Sequence, residues 1–348
     1  MEINKRRRAA ACRRLPHQAQ RAQREERMSQ VSQPGFQASW FYSFWKFSRP
    51  HTIIGTSLSV LGLYLIAISL FSNPASTQTI APILPLLGAW IACLCGNVYI
   101  VGLNQLEDVA IDKINKPHLP IASGEFSRRT GNLIVAITGV LALLLAWLQG
   151  PFLLGMVGVS LAIGTAYSLP PIRLKRFPFW AAVCIFSVRG SIVNLGLFLH
   201  FNWVLSAGDE TQNSAVLSIP SAVWLLTLFI LVFTFAIAIF KDIPDMEGDL
   251  LYNIQTFTLK IGKQAVFNLA LWVLTVCYVG MILVGILRLP EVNSLFLVST
   301  HLMALVWMWW QSRQVDLQEK SAIARFYQFI WKLFFLEYLI FPIACLLA

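Results

Sequence analysis

Charge is what this sequence has least of. Asp, Glu, Lys and Arg make up only 13% of its 348 residues, against 57% hydrophobic, where an ordinary soluble domain carries about 25% charged residues. Between Arg49 and Glu107 there is no charged side chain at all. Together with a mean hydropathy of +0.64, this excludes a soluble globular chain. The uncharged runs are also too long and too continuous for barrel strands, which alternate over about 10 residues. Helical spans of about 20 residues remain, so the fold class is all-α and polytopic. Histidine is scarce as well, with five in the chain, and the six cysteines (Cys12, Cys93, Cys95, Cys184, Cys277 and Cys345) fall mostly inside apolar stretches. Cys93 and Cys95 have no neighbouring histidine and no second pair, which argues against zinc; they read as small buried hydrophobes. The first 27 residues lack any apolar core, so they are not a secretory signal peptide.

What is present is strongly sided. The net charge is +10, and much of it lies in "KRRRAAACRRLPHQAQRAQREER" ahead of the first apolar run. That placement suits a topogenic signal and attraction to an anionic lipid surface, and it argues against nucleic acid as a partner. Residues 1–39 are expected to form a basic, disordered tail and 40–348 the membrane domain, opened by the interfacial anchor "SWFYSFWKFSRP". Nine spans are expected, at about 52–72, 80–106, 130–149, 151–169, 178–200, 217–240, 264–287, 292–311 and 328–347. The ninth is interrupted by Lys332 and Glu337. Eleven basic residues precede the first span, further Lys and Arg fill every second loop, and the opposite loops hold only Arg288. By the positive-inside rule the basic loops face the cytoplasm, or the stroma in a plastid.

Two acidic ranks lie on that same side. Asn104, Asp108 and Asp112 recur every four residues after the second span, which places them on one helix face over about 12 Å. Asp242, Asp245 and Asp249 follow the sixth span at i, i+3 and i+7, with Pro244 positioned to kink the helix. The spacing suggests two halves, spans one to four and five to eight, whose acids would meet face to face. Facing carboxylates repel unless they share cations, and oxygen-only donors select a hard ion, Mg²⁺ before Ca²⁺. Magnesium is commonly held by a few carboxylates plus substrate phosphates, so a diphosphate is the natural ligand. Lys113 and Lys116 beside the first rank, Arg173 and Lys175 in "AYSLPPIRLKR", and Tyr167 are candidate diphosphate ligands.

These two ranks, in "NQLEDVAIDKINKPHLPIASGEFS" and "KDIPDMEGDLLYNIQTFTLKIGKQ", with "FWKFSRPHTIIGTSLSV" near the start, resemble the UbiA superfamily of intramembrane aromatic prenyltransferases. The likeness runs from about residue 40 to the C-terminus, and is greatest to the homogentisate-prenylating branch that uses a phytyl donor, with the solanesyl-transferring branch as its nearest competitor. It implies a nine-helix bundle holding two Mg²⁺ ions on Asn104, Asp108, Asp112, Asp242, Asp245 and Asp249. Of these, Asp108, Asp112, Asp245 and Asp249 would be essential to catalysis by positioning metal on the diphosphate. It further implies phytyl diphosphate and homogentisate as substrates, decarboxylation, and 2-methyl-6-phytylbenzoquinol as product, in a cyanobacterial or plastid membrane of the tocopherol pathway. Chlorophyll synthases fit less well, and an ion-coupled transporter is disfavoured because its charges would sit at the midplane. No protein partner follows from the sequence.

Three further residues are candidates for the aromatic acceptor's site: His51 at the start of the first span, and Arg189 and Asn194 within the fifth. An intramembrane ionisable group is a functional candidate by default. Arg189 would meet either the acceptor's carboxylate or Glu337 of the ninth span. Asn194 also suits a plain interhelical hydrogen bond.

Overall fold

A computed structural model describes residues 39–71, 83–206, 217–251 and 256–348; within them the side chains of residues 71, 178, 247–249 and 251 are outside the description. The basic tail expected at 1–39 lies outside the described residues except for Ser39. In chain order the helices are α1 (Trp40–Phe47), α2 (Pro50–Phe71), α3 (Ile83–Glu107), α4 (Val109–Asn115), α5 (Pro120–Ser123), α6 (Arg128–Gln149), α7 (Pro151–Ser168) and α8 (Pro178–Phe186). A π-helical stretch, Ser187–Ile192, joins α8 to α9 (Val193–Ser206). Then come α10 (Ser221–Phe240), α11 (Asp242–Leu251), α12 (Phe257–Ile261), α13 (Lys263–Ile286), α14 (Ser294–Ser312) and α15 (Lys320–Leu346). No strand occurs among the described residues.

The helix starts follow local chemistry. Pro151 and Pro178 occupy first positions, where the missing N–H is one the helix would leave unpaired anyway. Ser127 and Asn293 cap α6 and α14, each accepting a backbone N–H three residues on at 3.0 Å. The membrane helices all belong to one unit, Ser43–Ala348. Within it α3 packs on α6 and α7, α13 on α10 and α14, and α2 closes the bundle against α9 and α15. Helix α10 is apolar all round and the most deeply buried span, as expected of a helix with no polar face to show.

Among the described residues eight helices are long and apolar enough to cross a bilayer. The expected eighth span, 292–311, exists as the 19-residue α14 between α13 and α15, but Ser299, Thr300, His301 and Gln311 make it less apolar than a span needs to be. The interruption expected at 328–347 is absent, since α15 runs 27 residues without a break. Lys332 is exposed, whereas Glu337 is buried.

The buried His301 explains both anomalies. Its Nδ1 lies 2.8 Å from the Leu297 carbonyl and its Nε2 3.1 Å from Glu337 Oε2. A carbonyl only accepts, so Nδ1 carries a proton, and Nε2 shares a second one with the carboxyl group. Glu337 is therefore not the partner of Arg189; it pins α15 to α14. Removing one member of a buried pair strands the other, at about 3–5 kcal/mol. Glu337→Ala is accordingly expected to lower the melting midpoint in detergent sharply, and Glu337→Gln, which keeps an acceptor for Nε2–H, to lower it less. Equal, small shifts for both would refute the pairing.

Candidate active site

The first acidic rank does not lie on one unbroken helix. Helix α3 stops at Glu107 and α4 starts at Val109, with Asp108 between them at φ −107°, ψ 17°. The four-residue hydrogen-bond ladder nevertheless crosses the break, from Asp108 N–H to Asn104 O at 3.0 Å and from Asp112 N–H to Asp108 O at 2.8 Å. The Leu106 carbonyl at the helix end accepts from Arg128 Nη2 at 2.7 Å, satisfying a group that helix ends leave open. At the far end, Pro117 pushes Lys116 out of helical geometry, to φ −140°, ψ 58°. That turn directs Lys116 inward.

The second rank lies on one short helix, with the break just ahead of it rather than within it. Pro244 has no N–H and its ring crowds the carbonyl four residues back, which is that of Phe240. The chain turns at Lys241 and restarts as α11 at Asp242. Asp242 and Asp245 occupy its first turn, where carboxylates suit the helix dipole. The side chain of Asp249 lies outside the described residues.

The two short helices that carry the acids, α4 and α11, pack against each other. Lys116 spans them, its Nζ 2.5 Å from Asp245 Oδ2. Asp108 holds two cations from the loop after α7: Arg173 Nη2 at 3.0 Å and Lys175 Nζ at 2.7 Å. Arg173 adopts a left-handed backbone, φ 40°, a conformation that costs a non-glycine residue about 1–3 kcal/mol and here aims the guanidinium at Asp108. Burial pushes the Lys175 ammonium down from its usual range, while Asp108 draws it back up. Asp242 pairs with Lys241 at 3.1 Å, and Tyr167 lies within electrostatic reach of Lys241, Asp108 and Asp242.

Asp112 is the exception. It is buried at 6% exposure, and burial pushes its carboxyl up to about 6; Asp108 and Asp245 add to this, and Lys116 and Arg49 oppose it. It makes no ion pair among the described residues. Asn104 sits half-buried one turn before Asp108. Lys113 is a correction: it is exposed and lines an outward groove with Glu107, Val109 and Arg128, because one residue along a helix turns the side chain about 100° away from Asp112.

Arg49 was not foreseen as a site residue. It precedes Pro50 in the left-handed region, φ 56°, and its charge bears on Asp112, His118 and His51. Its signal in the sequence was position alone: the last charge before a long uncharged stretch, beside a helix-starting proline.

Deeper in the bundle, two of the three candidate acceptor residues converge. The His51 ring lies 4.8 Å from that of Trp331, and the Arg189 guanidinium sits over Trp331 and Phe334 at 4.9 and 5.6 Å. Asn194 takes the bland role, accepting from Tyr338 Oη at 2.7 Å and donating to Gly190 O at 2.8 Å. Arg189 lies on the π-helical stretch, a wide turn that often marks functional positions. A Cβ on the adjacent Gly190 would stand 2.6 Å from Leu231 Cα, so glycine is what lets α10 approach there.

Among the described residues no three carboxylate, histidine or cysteine groups converge as they stand on a single metal point; Asp108, Asp242 and Asp245 face cations instead. The donor chemistry still fits a hard divalent ion: carboxylate oxygens only, one of them a buried acid without an ion-pair partner and crowded by two others. Comparison with known proteins agrees with this architecture. The UbiA prenyltransferase family model matches residues 60–333. Homogentisate phytyltransferase of Synechocystis is 55% identical over 87% of this chain and 95% of its own length. Homogentisate phytyltransferase 1 of Arabidopsis thaliana is 40% identical over 86% and 74%. The solved structure of a UbiA homolog from Archaeoglobus fulgidus bound to GPP and Mg²⁺ superposes with a TM-score of 0.57 at 16% identity, over 88% of this chain and 100% of that one. An all-helical membrane bundle with two acid-bearing helices packed at one end is thus no isolated likeness: the chain belongs to the UbiA prenyltransferase family.

Proposed function

We propose that this protein transfers the phytyl group of phytyl diphosphate to a ring carbon of homogentisate, with loss of CO₂, giving 2-methyl-6-phytylbenzoquinol. The reaction class is supported by the packing of the Asp112 helix on the Asp245 helix, bridged by Lys116. The donor and acceptor are carried by one observation, the 55% identity to the Synechocystis phytyltransferase across 95% of its length. In the transfer, the C–O bond to diphosphate breaks with its electron pair leaving on the diphosphate, and the allylic carbon bonds to the ring. A ring proton is lost, the carboxylate departs as CO₂, and the remaining methylene takes up a proton to become methyl.

Asn104, Asp108, Asp112, Asp242, Asp245 and Asp249 would hold Mg²⁺, two ions in this reading, which neutralises charge on the leaving diphosphate. Lys116, Arg173 and Lys175 exchange their carboxylate partners for phosphate oxygens when the donor binds, and Tyr167 donates to the same group. The apolar interior takes the prenyl tail and keeps water from the cation, and aromatic faces there stabilise positive charge. By the positive-inside rule, the basic loops favour the cytoplasmic or stromal surface for this end of the bundle.

The test is mass spectrometry of products from membranes containing the protein, given phytyl, geranylgeranyl or solanesyl diphosphate with homogentisate or 4-hydroxybenzoate. The expected main product has the mass of homogentisate minus CO₂ plus phytyl. A dominant solanesyl product, or a product retaining the carboxyl group, would overturn the assignment.

A further inference from the structure

Among the described residues Arg189 is a cation with no anion. It lies in the fifth span, and the carboxylate that the sequence offered it, Glu337, is held by His301 instead. No other carboxylate among the described residues pairs with it; its guanidinium packs on the rings of Trp331 and Phe334. An unpaired charge inside a bilayer-spanning bundle is costly and marks a binding function by default. Its immediate neighbours, Trp331, Phe334 and Gly55, are buried and come from α15 and α2, yet Arg189 itself keeps accessible surface, as do His51 and Tyr327. Arg189, His51 and Tyr327 therefore each keep an unpacked side.

The chemistry of these side chains selects their ligand. A guanidinium presents a planar fork that matches a carboxylate bidentately, and the partly exposed His51 imidazole nearby offers a face for a benzene ring to lie against. The donor's diphosphate has its own cations, Lys116, Arg173 and Lys175, all at the acidic ranks. Resting on the function proposed above, we infer that Arg189, seated on Trp331, receives the carboxylate of the aromatic acceptor, with His51 beside its ring. The π-helical turn places the guanidinium there, and Asn194 fixes that turn through Gly190 O and Tyr338. A regular α-helix would rotate Arg189 away.

The experiment is steady-state kinetics of purified Arg189→Leu, Arg189→Lys and wild type, varying homogentisate and phytyl diphosphate separately, with methylhydroquinone, an acceptor-like ring lacking the carboxylate, as inhibitor. Arg189→Leu is expected to raise KM for homogentisate at least about ten-fold, with KM for phytyl diphosphate and inhibition by methylhydroquinone unchanged. Arg189→Lys, which keeps the charge but not the fork, should fall between and serves if the leucine variant does not fold. An unchanged homogentisate KM in an active variant overturns this inference alone. A rise in the phytyl diphosphate KM instead moves Arg189 to the donor's site and overturns it too. A wild type that does not turn over homogentisate overturns the proposed function and the inference with it.

Discussion

Asp112→Asn is expected to lower turnover on the order of 10³-fold, the upper end of what removing one precisely placed electrostatic group costs, while the protein melts at the same or a higher temperature. The two halves of that expectation share one cause. Asp108 is held by Arg173 and Lys175, Asp245 by Lys116 and Asp242 by Lys241, whereas Asp112 is buried beside Asp108 and Asp245 and no cation of the described residues pairs with it. Its carboxyl is pushed up to about 6, which means that the folded protein disfavours the charged form. Such a group detracts from stability as pH rises from its unfolded value near 3.8 through about 6, and an isosteric amide removes that penalty. Turnover, by contrast, needs the charge to hold metal. Activity assays and thermal melts of the same preparation, with Glu107→Gln on the outward groove as a control expected to behave as wild type, separate the two. Activity within ten-fold of wild type, or a marked fall in melting temperature, would remove Asp112 from the metal site.

The sequence made the fold class and the position of the acids legible because both rest on one-dimensional signals. Uncharged runs of span length have few other uses, and a carboxylate rank at i and i+4 survives small changes in helix geometry. The breaks at Asp108 and Lys241 were less legible, since only Pro244 announced one of them and it acts four residues upstream. Partner choice was not legible at all. Glu337 and His301 are 36 residues apart, Lys116 and Asp245 are 129 apart, and nothing local distinguishes Glu337 meeting His301 from Glu337 meeting Arg189. Lys113 and Lys116 looked equivalent beside the first rank, yet Pro117 turns one inward and the helix turns the other out. Arg49 carried no motif; its role comes from a left-handed backbone that brings the start of α2 to the acids.

Stripping divalent cations with EDTA should abolish phytyl diphosphate binding as well as turnover, and added Mg²⁺ should restore both. Without metal, the donor meets Asp112 uncompensated, while the cations meant for it are engaged: Lys116 with Asp245, Arg173 and Lys175 with Asp108. For a diphosphate to take those three side chains, the carboxylates must release them, and a released buried carboxylate next to a diphosphate is a like-charge contact in a poorly screened site. Only a cation shared between carboxylate and phosphate makes the exchange favourable. Binding of phytyl diphosphate to purified protein, followed by the shift in melting temperature, is therefore expected to weaken at least about 100-fold in EDTA, equivalent to about 2.7 kcal/mol. Lys116→Met distinguishes the parts: it frees Asp245 and removes one phosphate ligand, so binding in Mg²⁺ should weaken several-fold while dependence on Mg²⁺ persists. If binding in EDTA equals that in Mg²⁺, the basic side chains alone hold the donor, and the carboxylate ranks serve those side chains rather than a metal.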